Sequence, residues 1–252
     1  MVLYEYPFHE GIRTMLRLEH LFDWLGQLLT RNAPVDHHFA LATMFEIVEV
    51  ASRADLKADL LKELDRHRLQ LEAYRGNPAI AEEALEAAIT RLGTAFDRLN
   101  QTEGKAGAAL TGNEWLMTLR SRISIPGGTC EFDLPSYHAW QHQDIARRRA
   151  DLLGWIGTLM PLGEALRVLL GMLRDAGIAQ KVVATNGVFQ QTLPAGRVYN
   201  LMRVRLPDEA QQLVPEITAH RLMVSVRLMQ PDADGRLRPA ASDTSFELTL
   251  CS

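Results

Sequence analysis

The sequence predicts an α+β protein, with a mainly helical domain followed by an antiparallel β domain. Through most of the 252-residue chain, apolar residues recur every three or four positions, whereas after Gly177 they alternate with polar residues. Hydrophobic residues make up 47% and charged residues 23%, values typical of folded globular proteins. We therefore expect a helical domain at 8–178 with a connecting segment at 123–142. The β domain is expected at 179–252, joined by an N-terminal strand at 1–7.

The first helix is predicted from Gly11 to Thr30, where an apolar stripe has helical spacing. Residues that favour helix starts precede three further helices: Asp36, Asp55, and Asn77 followed by Pro78, the last helix continuing to about Asn100. The glycine-rich stretch 101–112 is typical of a loop. Later helices are predicted at Trp115–Arg122, at Ser136–Gln141 and on both sides of Pro161, ending near Gly177.

The β domain is predicted from alternating segments. These are Gln180–Thr185, Val188–Thr192, Tyr199–Leu206, Arg221–Met229 and Phe246–Leu250, with Val2–Tyr6 added from the N-terminus. Asn186-Gly187 between the first two is a strong signal for a β-hairpin. In the fourth segment, Leu222, Val224, Val226 and Leu228 share one face, and Arg221, Met223, Ser225 and Arg227 share the other.

Charge and cysteine content exclude several classes of protein. The net charge is −4, divided into −6 over residues 1–119 and +2 over 120–252, where 14 of the 15 basic residues are arginine. A bulk nucleic-acid binder would have a strongly basic domain. The chain has neither an 18-residue apolar run nor an apolar leader, and its two cysteines, Cys130 and Cys251, cannot form a disulfide framework. We expect a cytoplasmic protein with reduced thiols.

A search for catalytic motifs finds no P-loop, G-x-S-x-G, G-x-G-x-x-G or H-E-x-x-H pattern. His138 and His142 are four residues apart and can share a helical face, with Cys130 nearby. A small-molecule-binding enzyme with a site at these three residues remains an alternative. Structural zinc normally needs four ligands at recognisable spacings, so we expect no metal and no cofactor.

The arginines offer a second kind of site, because guanidinium groups bind carboxylates in a bidentate manner. Arg13 and Arg17 are one helical turn apart, whereas consecutive Arg147–Arg149 must spread around a helix and are expected to be solvated. Strand alternation places two pairs on sheet faces, where the four can line a shared surface: Arg203 and Arg205, and Arg221 and Arg227.

Four blocks of sequence resemble the ZapD family, in the family's order and over nearly the whole chain. The first two are Tyr4-Glu5-Tyr6-Pro7 with 13–19 (RTMLRLE), and 59–66 (DLLKELDR). The third is 124–128 (SIPGG) followed by Cys130, 132–135 (FDLP), His138 and Trp140. The fourth is Asn186-Gly187 with 215–217 (PEI), His220-Arg221 and Val226-Arg227. The resemblance implies a non-enzymatic division factor that binds the C-terminal tail of FtsZ as a homodimer. By the same resemblance it cross-links FtsZ filaments at mid-cell.

The resemblance also implies which residues bind the partner. These are Arg13, Arg53, His138 and Arg227, with Arg221 at a neighbouring basic position. Met223 and Glu114 stand where family members carry basic residues, so other arginines are further candidates: Arg17, Arg120, Arg203 and Arg205. A generic arginine-rich adaptor for another acidic peptide is a third hypothesis. Neither nucleic acid nor an integral membrane segment is expected.

Two further features of the sequence have a structural interpretation. Gly127-Gly128 between prolines is typical of a sharp turn. Trp140 and Trp155 are expected to pack in the core or at a dimer contact, because large aromatic side chains are usually buried.

Overall fold

The computed structural model describes residues 1–52, 55–210 and 212–252. Its helices are α1 (Glu10–Thr30), α2 (Pro34–Ser52), α3 (Leu56–Glu72), α4 (Glu82–Gln101), α5 (Ala108–Thr111), α6 (Glu114–Ile123), α7 (Pro135–Gln141), α8 (Ile145–Gly157) and α9 (Met160–Asp175). Its strands are β1 (Val2–Pro7), β2 (Ile178–Ala184), β3 (Val188–Thr192), β4 (Leu201–Leu206), β5 (Val214–His220), β6 (Met223–Pro231), β7 (Leu237–Pro239) and β8 (Thr244–Cys251). The predicted α+β class is confirmed.

The chain divides into two compact units, which we call the helical unit and the β unit. The helical unit comprises residues 16–169, and the β unit combines residues 1–15 with 170–252. The β unit is therefore discontinuous in sequence, because its first strand precedes the whole helical unit.

The helical unit is built around α2. This helix is buried on most of its sides, through His37, Ala40, Leu41, Thr43, Met44, Phe45, Ile47, Val48 and Ala51. In contrast, α1 buries one stripe, Leu18, Leu21 and Leu25, at the predicted helical spacing. Helices α3 and α4 pack against each other, and α2 contacts α6 and α8.

Four aromatic side chains on α6, α7 and α8 form a cluster in this unit. Trp115 stacks on Trp155 with ring centroids 5.3 Å apart, and Tyr137 stacks on Trp140 at 5.9 Å. The Trp140 indole donates to a carboxylate oxygen of Asp151 at 3.0 Å, which satisfies its N–H. Trp140 is 5% exposed, so its expected burial is confirmed.

The expectation that Arg147–Arg149 form a solvated face is wrong for Arg148, which is only 4% exposed. Arg147 is exposed and lies 3.5 Å from Asp151. Arg149 donates to backbone carbonyls at the C-terminal end of α1, including Thr30 at 3.0 Å. Consecutive residues on a helix point in three directions, and here two of the directions lead to backbone carbonyls at or just beyond the C-terminal ends of α1 and α7.

Arg148 satisfies its buried guanidinium without a carboxylate. Its Nε donates to Nδ1 of His37 at 3.0 Å, and its two Nη atoms donate to the carbonyls of Gln141 (3.0 Å), Asn32 (2.9 Å) and Gln143. Because His37 accepts at Nδ1, it must be neutral. Burial is the main cause that lowers the pKa of His37, and the neighbouring Arg148 charge lowers it further.

Several predicted helix boundaries are corrected. Helix α2 begins at Pro34, before Asp36, because proline fits the first helical turn. Helix α4 begins at Glu82, since Asn77 uses its side-chain oxygen locally to accept from the Ala79 amide at 3.0 Å. The expected loop at 101–112 contains the short helix α5.

The β unit is a sandwich of two antiparallel sheets. The first, sheet A, has the strand order β1-β4-β8-β2, and the second, sheet B, has the order β3-β6-β5 with β7 also paired to β6. Alternate residues of both sheets fill the core between them: Met202, Val204, Leu206, Val224, Val226, Leu228, Phe246 and Leu248. Phe189 of sheet B meets Phe246 of sheet A edge-on, with centroids 5.6 Å apart.

The hairpin predicted at Asn186-Gly187 is only partly correct. Both residues have positive φ, 49° and 74°, as the tight turn requires. However, β2 belongs to sheet A and β3 to sheet B, and the two strands share a single bridge, Thr185 with Val188. A Cβ on Gly187 would lie 2.3 Å from the Ala240 carbonyl oxygen, so close packing as well as φ requires glycine here.

Across the part of the chain that the structure describes, no single helix is long and apolar enough to cross a membrane. Helices α8 and α9 together meet the length and composition test, but they are bent by 61° at the break between them.

Candidate partner-binding surface

The outer surface of sheet B, which we call the B face, carries the predicted arginine Arg227, and Arg221 lies in the turn at the end of its strands β5 and β6. It consists of Val188, Gln190 and Thr192 of β3, Met223, Ser225 and Arg227 of β6, and Glu216, Thr218 and His220 of β5. These residues point outward because they alternate with the core-facing residues of the same strands. The B face is polar, which is typical of the solvent side of an antiparallel sheet.

Arg227 lies in the central strand of the B face and is exposed. Its cross-strand neighbours are Val188 on β3 and Glu216 on β5. Nevertheless, no ion pair within the described residues involves the Arg227 guanidinium. Its charge is therefore available to an external anion.

Arg221 lies in the two-residue connection between β5 and β6, and not in the strand as the alternation predicted. Leu222, the other residue of this turn, donates its amide to Nδ1 of His220 at 3.3 Å and is 62% exposed. Leu222 therefore lies outside the strand that the alternation predicted, and it is not buried as Val224, Val226 and Leu228 are. Arg221 is exposed, and it too forms no ion pair with any residue that the structure describes.

The two arginines are suited to an extended acidic segment. Residues 223–227 of β6 span roughly 13 Å at about 3.3 Å per residue, with Arg221 in the turn before them. A peptide in an extended conformation with carboxylates at least four residues apart matches this separation along the strand. This spacing favours a chain-like anionic ligand over a small compact one.

Arg203 and Arg205 do not join this surface, so the expected shared surface of four arginines is wrong. They lie on the outer side of sheet A, because their neighbours Met202 and Val204 face the core. Arg203 and Arg205 therefore lie on the opposite face of the sandwich from Arg227.

Both sheet A arginines are also engaged by carboxylates. Arg203 lies 3.0 Å from Glu5, which is also 2.7 Å from Arg174, and these three side chains are about one-fifth exposed. Arg205 lies 3.2 Å from Glu247. Sequence inspection could not reveal this compensation, because Glu5 and Arg203 are nearly 200 positions apart.

Arg13 belongs to the β unit, in the first turns of α1. Its side chain is 40% exposed and its Nε lies 3.2 Å from Glu10. This is an exposed pair in the i, i+3 arrangement, which contributes little free energy. The pair can therefore exchange for another carboxylate at small cost.

The remaining candidates lie in the helical unit or outside the described residues. Arg17 is exposed on α1, and Arg120 is half-buried on α6. His138 is exposed on α7, with its ring centroid 4.3 Å from that of His142, so the two histidines share one side as predicted. Arg53 lies outside the residues that the structure describes.

Comparison with known proteins identifies the relatives of this chain. Residues 16–227 match the model of the ZapD family, which is described as a cell division protein. The chain belongs to the ZapD family. It is 54% identical to the cell division protein ZapD of Ralstonia nicotianae and 53% identical to that of Ralstonia pickettii, over all 252 residues and the full length of both relatives. The ZapD of Cupriavidus pinatubonensis is 52% identical over the same span. A role in cell division follows.

Met223 and Glu114 stand at two positions where the resemblance led us to expect a basic residue. Met223 is half-buried on the B face, between Thr192 and His220. Glu114 is exposed at the first turn of α6, where an acidic residue is favoured by the helix dipole. Both residues are compatible with their local structure, which therefore explains their presence without a ligand.

The region around Cys130 shows no cluster of metal-ligating groups. Cys130 is half-buried in the turn-rich segment before α7, and its carbonyl accepts from the Leu134 amide at 2.9 Å. Among the described residues, no group of three His, Cys, Asp or Glu side chains could hold a metal ion. Cys251 is buried, and burial raises the pKa of its thiol.

One polar feature of the β unit was missed by sequence reasoning. The Arg197 guanidinium lies over the ring of Tyr199, 5.0 Å from its centroid, at a cleft between the edges of the two sheets. An arginine two residues before a tyrosine was the only sequence feature that could have indicated this contact. However, both residues lie in the irregular segment before β4, where neither helical nor strand periodicity predicts which side chains are neighbours.

Proposed function

We propose that this chain is a non-enzymatic cell division factor that binds the C-terminal tail of FtsZ. As a homodimer in the cytoplasm, it would cross-link FtsZ filaments at the division site and promote assembly of the division ring, without a cofactor. Membership of the ZapD family supports the division role.

The observation that carries the proposal is a pair of exposed arginines that form no ion pair within the described residues, Arg227 on the B face and Arg221 in the turn at its end. Arg221 and Arg227 have no carboxylate partner among the described residues, whereas Arg203 and Arg205 do. An acidic or carboxylate-bearing tail gains charge-assisted hydrogen bonds from the first pair without breaking an existing ion pair. We accordingly assign the main contacts to Arg221 and Arg227, with Arg13, Arg53 and His138 as further contacts.

The proposed activity follows from valency. A flexible tail loses conformational entropy when it binds, so a site made of a few arginine contacts is weak. A filament presents many tails, and a dimer has two sites, so the second binding event occurs at a high effective concentration. A two-fold axis then directs the two sites to different filaments, which links them without any chemical reaction.

The test is co-sedimentation of the purified protein with GTP-assembled FtsZ, either full-length or lacking its C-terminal tail. We expect pelleting and bundling only with the full-length form, and progressive loss as salt increases, because the contacts are ionic. A folded protein that pellets equally with both forms would refute the tail as the binding partner.

A matched pair of variants tests the assignment to the B face. Arg227→Glu should weaken tail binding at least tenfold, whereas Arg236→Glu applies the same charge change at an exposed position beyond β6 and should leave binding nearly unchanged. Sedimentation velocity on both variants checks that the oligomeric state is intact. Equal losses in the two variants would show a nonspecific charge effect and contradict the assignment.

A further inference from the structure

The strands β2 and β3 are the free edges of two different sheets, and the gap between them is open. They run apart from the Asn186-Gly187 turn after the single Thr185–Val188 bridge. A turn of this kind normally closes a two-stranded ladder. In this protein the ladder is absent, and strand edges that local sequence would pair remain unpaired.

The gap contains a cleft of about 130 Å³ at its wide end. Ile178 and Gln180 of β2 line one side and Gln191 of β3 lines the other. The apolar residues Leu248 and Leu250 of β8 also line it. Arg197 and Tyr199 complete the lining and place a cation beside this apolar surface.

The backbone of β2 is unusually accessible for a strand of seven residues. It pairs with β8 on one side only, so alternate N–H and C=O groups on its other edge point away from the sheet. Its first four residues are exposed, and Ile178 is 80% exposed. Natural edge strands are usually protected by proline, bulges or several charges, whereas β2 has one lysine, Lys181.

The charges around the gap select the kind of strand that fits it. Arg197, which lines the cleft, forms no ion pair within the described residues, so a partner with a carboxylate is favoured. A second copy of β2 is disfavoured, because antiparallel pairing about its centre would place Lys181 opposite Lys181. Like charges directly opposite each other destabilise a strand pair.

We propose that the gap between β2 and β3 binds an extended acidic peptide by strand addition. The peptide backbone pairs with the free edge of β2, its alternate apolar side chains enter the cleft against Leu248 and Leu250, and a carboxylate contacts Arg197. Backbone pairing supplies affinity and the cleft supplies specificity, as in other cases of strand addition. The site uses neither Arg221 nor Arg227 and is independent of the function proposed above.

The test starts from a random nonapeptide library displayed on phage and selected against the purified full chain. We expect selected peptides to be acidic with apolar residues at alternate positions, and hydrogen exchange to slow in residues 178–184 when a synthetic copy binds. A library that yields no binder, or binders that leave β2 exchange unchanged, would overturn the proposal.

Two controls separate strand addition from simple charge attraction. N-methylation of the synthetic peptide at alternate residues removes backbone donors without changing charge, and one of the two methylation registers should weaken binding at least tenfold. Arg197→Glu should also weaken binding at least tenfold, whereas Arg236→Glu and Arg227→Glu should change it less than threefold. Equal binding of both methylated registers, or equal effects of all three substitutions, would refute pairing at this edge.

Discussion

The buried guanidinium of Arg148 provides a sharp test of how the helical unit is stabilised. In Arg148→Met, the side-chain volume is largely kept, but His37 Nδ1 and the carbonyls of Asn32, Gln141 and Gln143 lose their donor. Hydrogen bonds to charged groups contribute about 1.5–3 kcal/mol each, and part of this is recovered because a cation no longer needs to be desolvated. We expect a net loss of about 3–5 kcal/mol in the free energy of unfolding.

The two neighbouring arginines supply matched controls. Arg149→Met removes hydrogen bonds that are largely exposed, so a loss of about 1 kcal/mol is expected. Arg147→Met removes one exposed ion pair, for which the expected loss is below about 0.5 kcal/mol. The predicted order of destabilisation is therefore Arg148, then Arg149, then Arg147, although all three substitutions are chemically identical.

Urea unfolding followed by tryptophan fluorescence measures this order. All four tryptophans lie in residues 16–169, so the signal reports the helical unit alone. With a urea dependence of about 2 kcal/mol per molar, Arg148→Met should lower the midpoint by roughly 2 M. Equal midpoints for the Arg147 and Arg148 variants would show that the buried network contributes no stability, and would refute the reasoning.

Three further predictions concern pH, backbone conformation and a buried ion pair. The pKa of His37 is lowered from its ordinary value of 6.5, so the helical unit should be fully stable above about pH 6.5 and should lose stability as pH falls below it. Urea titrations at pH 8 and pH 5.5 measure this loss, and His37→Gln should make it smaller. Gly187→Ala should destabilise the β unit by at least about 2 kcal/mol in thermal unfolding, because the new Cβ would clash with the Ala240 carbonyl and because alanine disfavours a positive φ. An unchanged unfolding temperature would mean that the turn relaxes freely. Glu5→Gln removes the carboxylate that pairs with the part-buried Arg174 and Arg203. Amide hydrogen exchange should become faster in β1 and β4 and stay constant in β5. Faster exchange in all three strands would indicate global destabilisation instead.

The periodicity of the sequence was sufficient to locate most elements, because burial of one face leaves a local pattern. It missed β5 and β7, since Pro215 interrupts the pattern of the first and the second is only three residues long. Predicted helix boundaries were wrong where a side chain could form either of two local hydrogen bonds. Asn77, for example, accepts a hydrogen bond within a turn and does not cap a helix. These failures reflect short-range competition between hydrogen-bond partners, which periodicity does not register.

The candidate surfaces were less predictable, because they depend on partners distant in sequence. Alternation correctly paired Arg203 with Arg205, but only the sheet order shows that they face away from Arg227. Likewise, the Asn186-Gly187 signal correctly predicted a turn, but whether its strands pair depends on β6 and β8. The open gap is thus a place where local preference and tertiary structure disagree, as often occurs at functional sites.

The strand order of sheet A has a consequence for synthesis on the ribosome. Val2 pairs with Leu206, and the last strand, β8, lies between β4 and β2. Residues 16–169 emerge from the ribosome well before β8 is made, so the helical unit can fold while the chain is still growing. The first strand stays unpaired until β4 has emerged, and sheet A can close only after β8 has been synthesised.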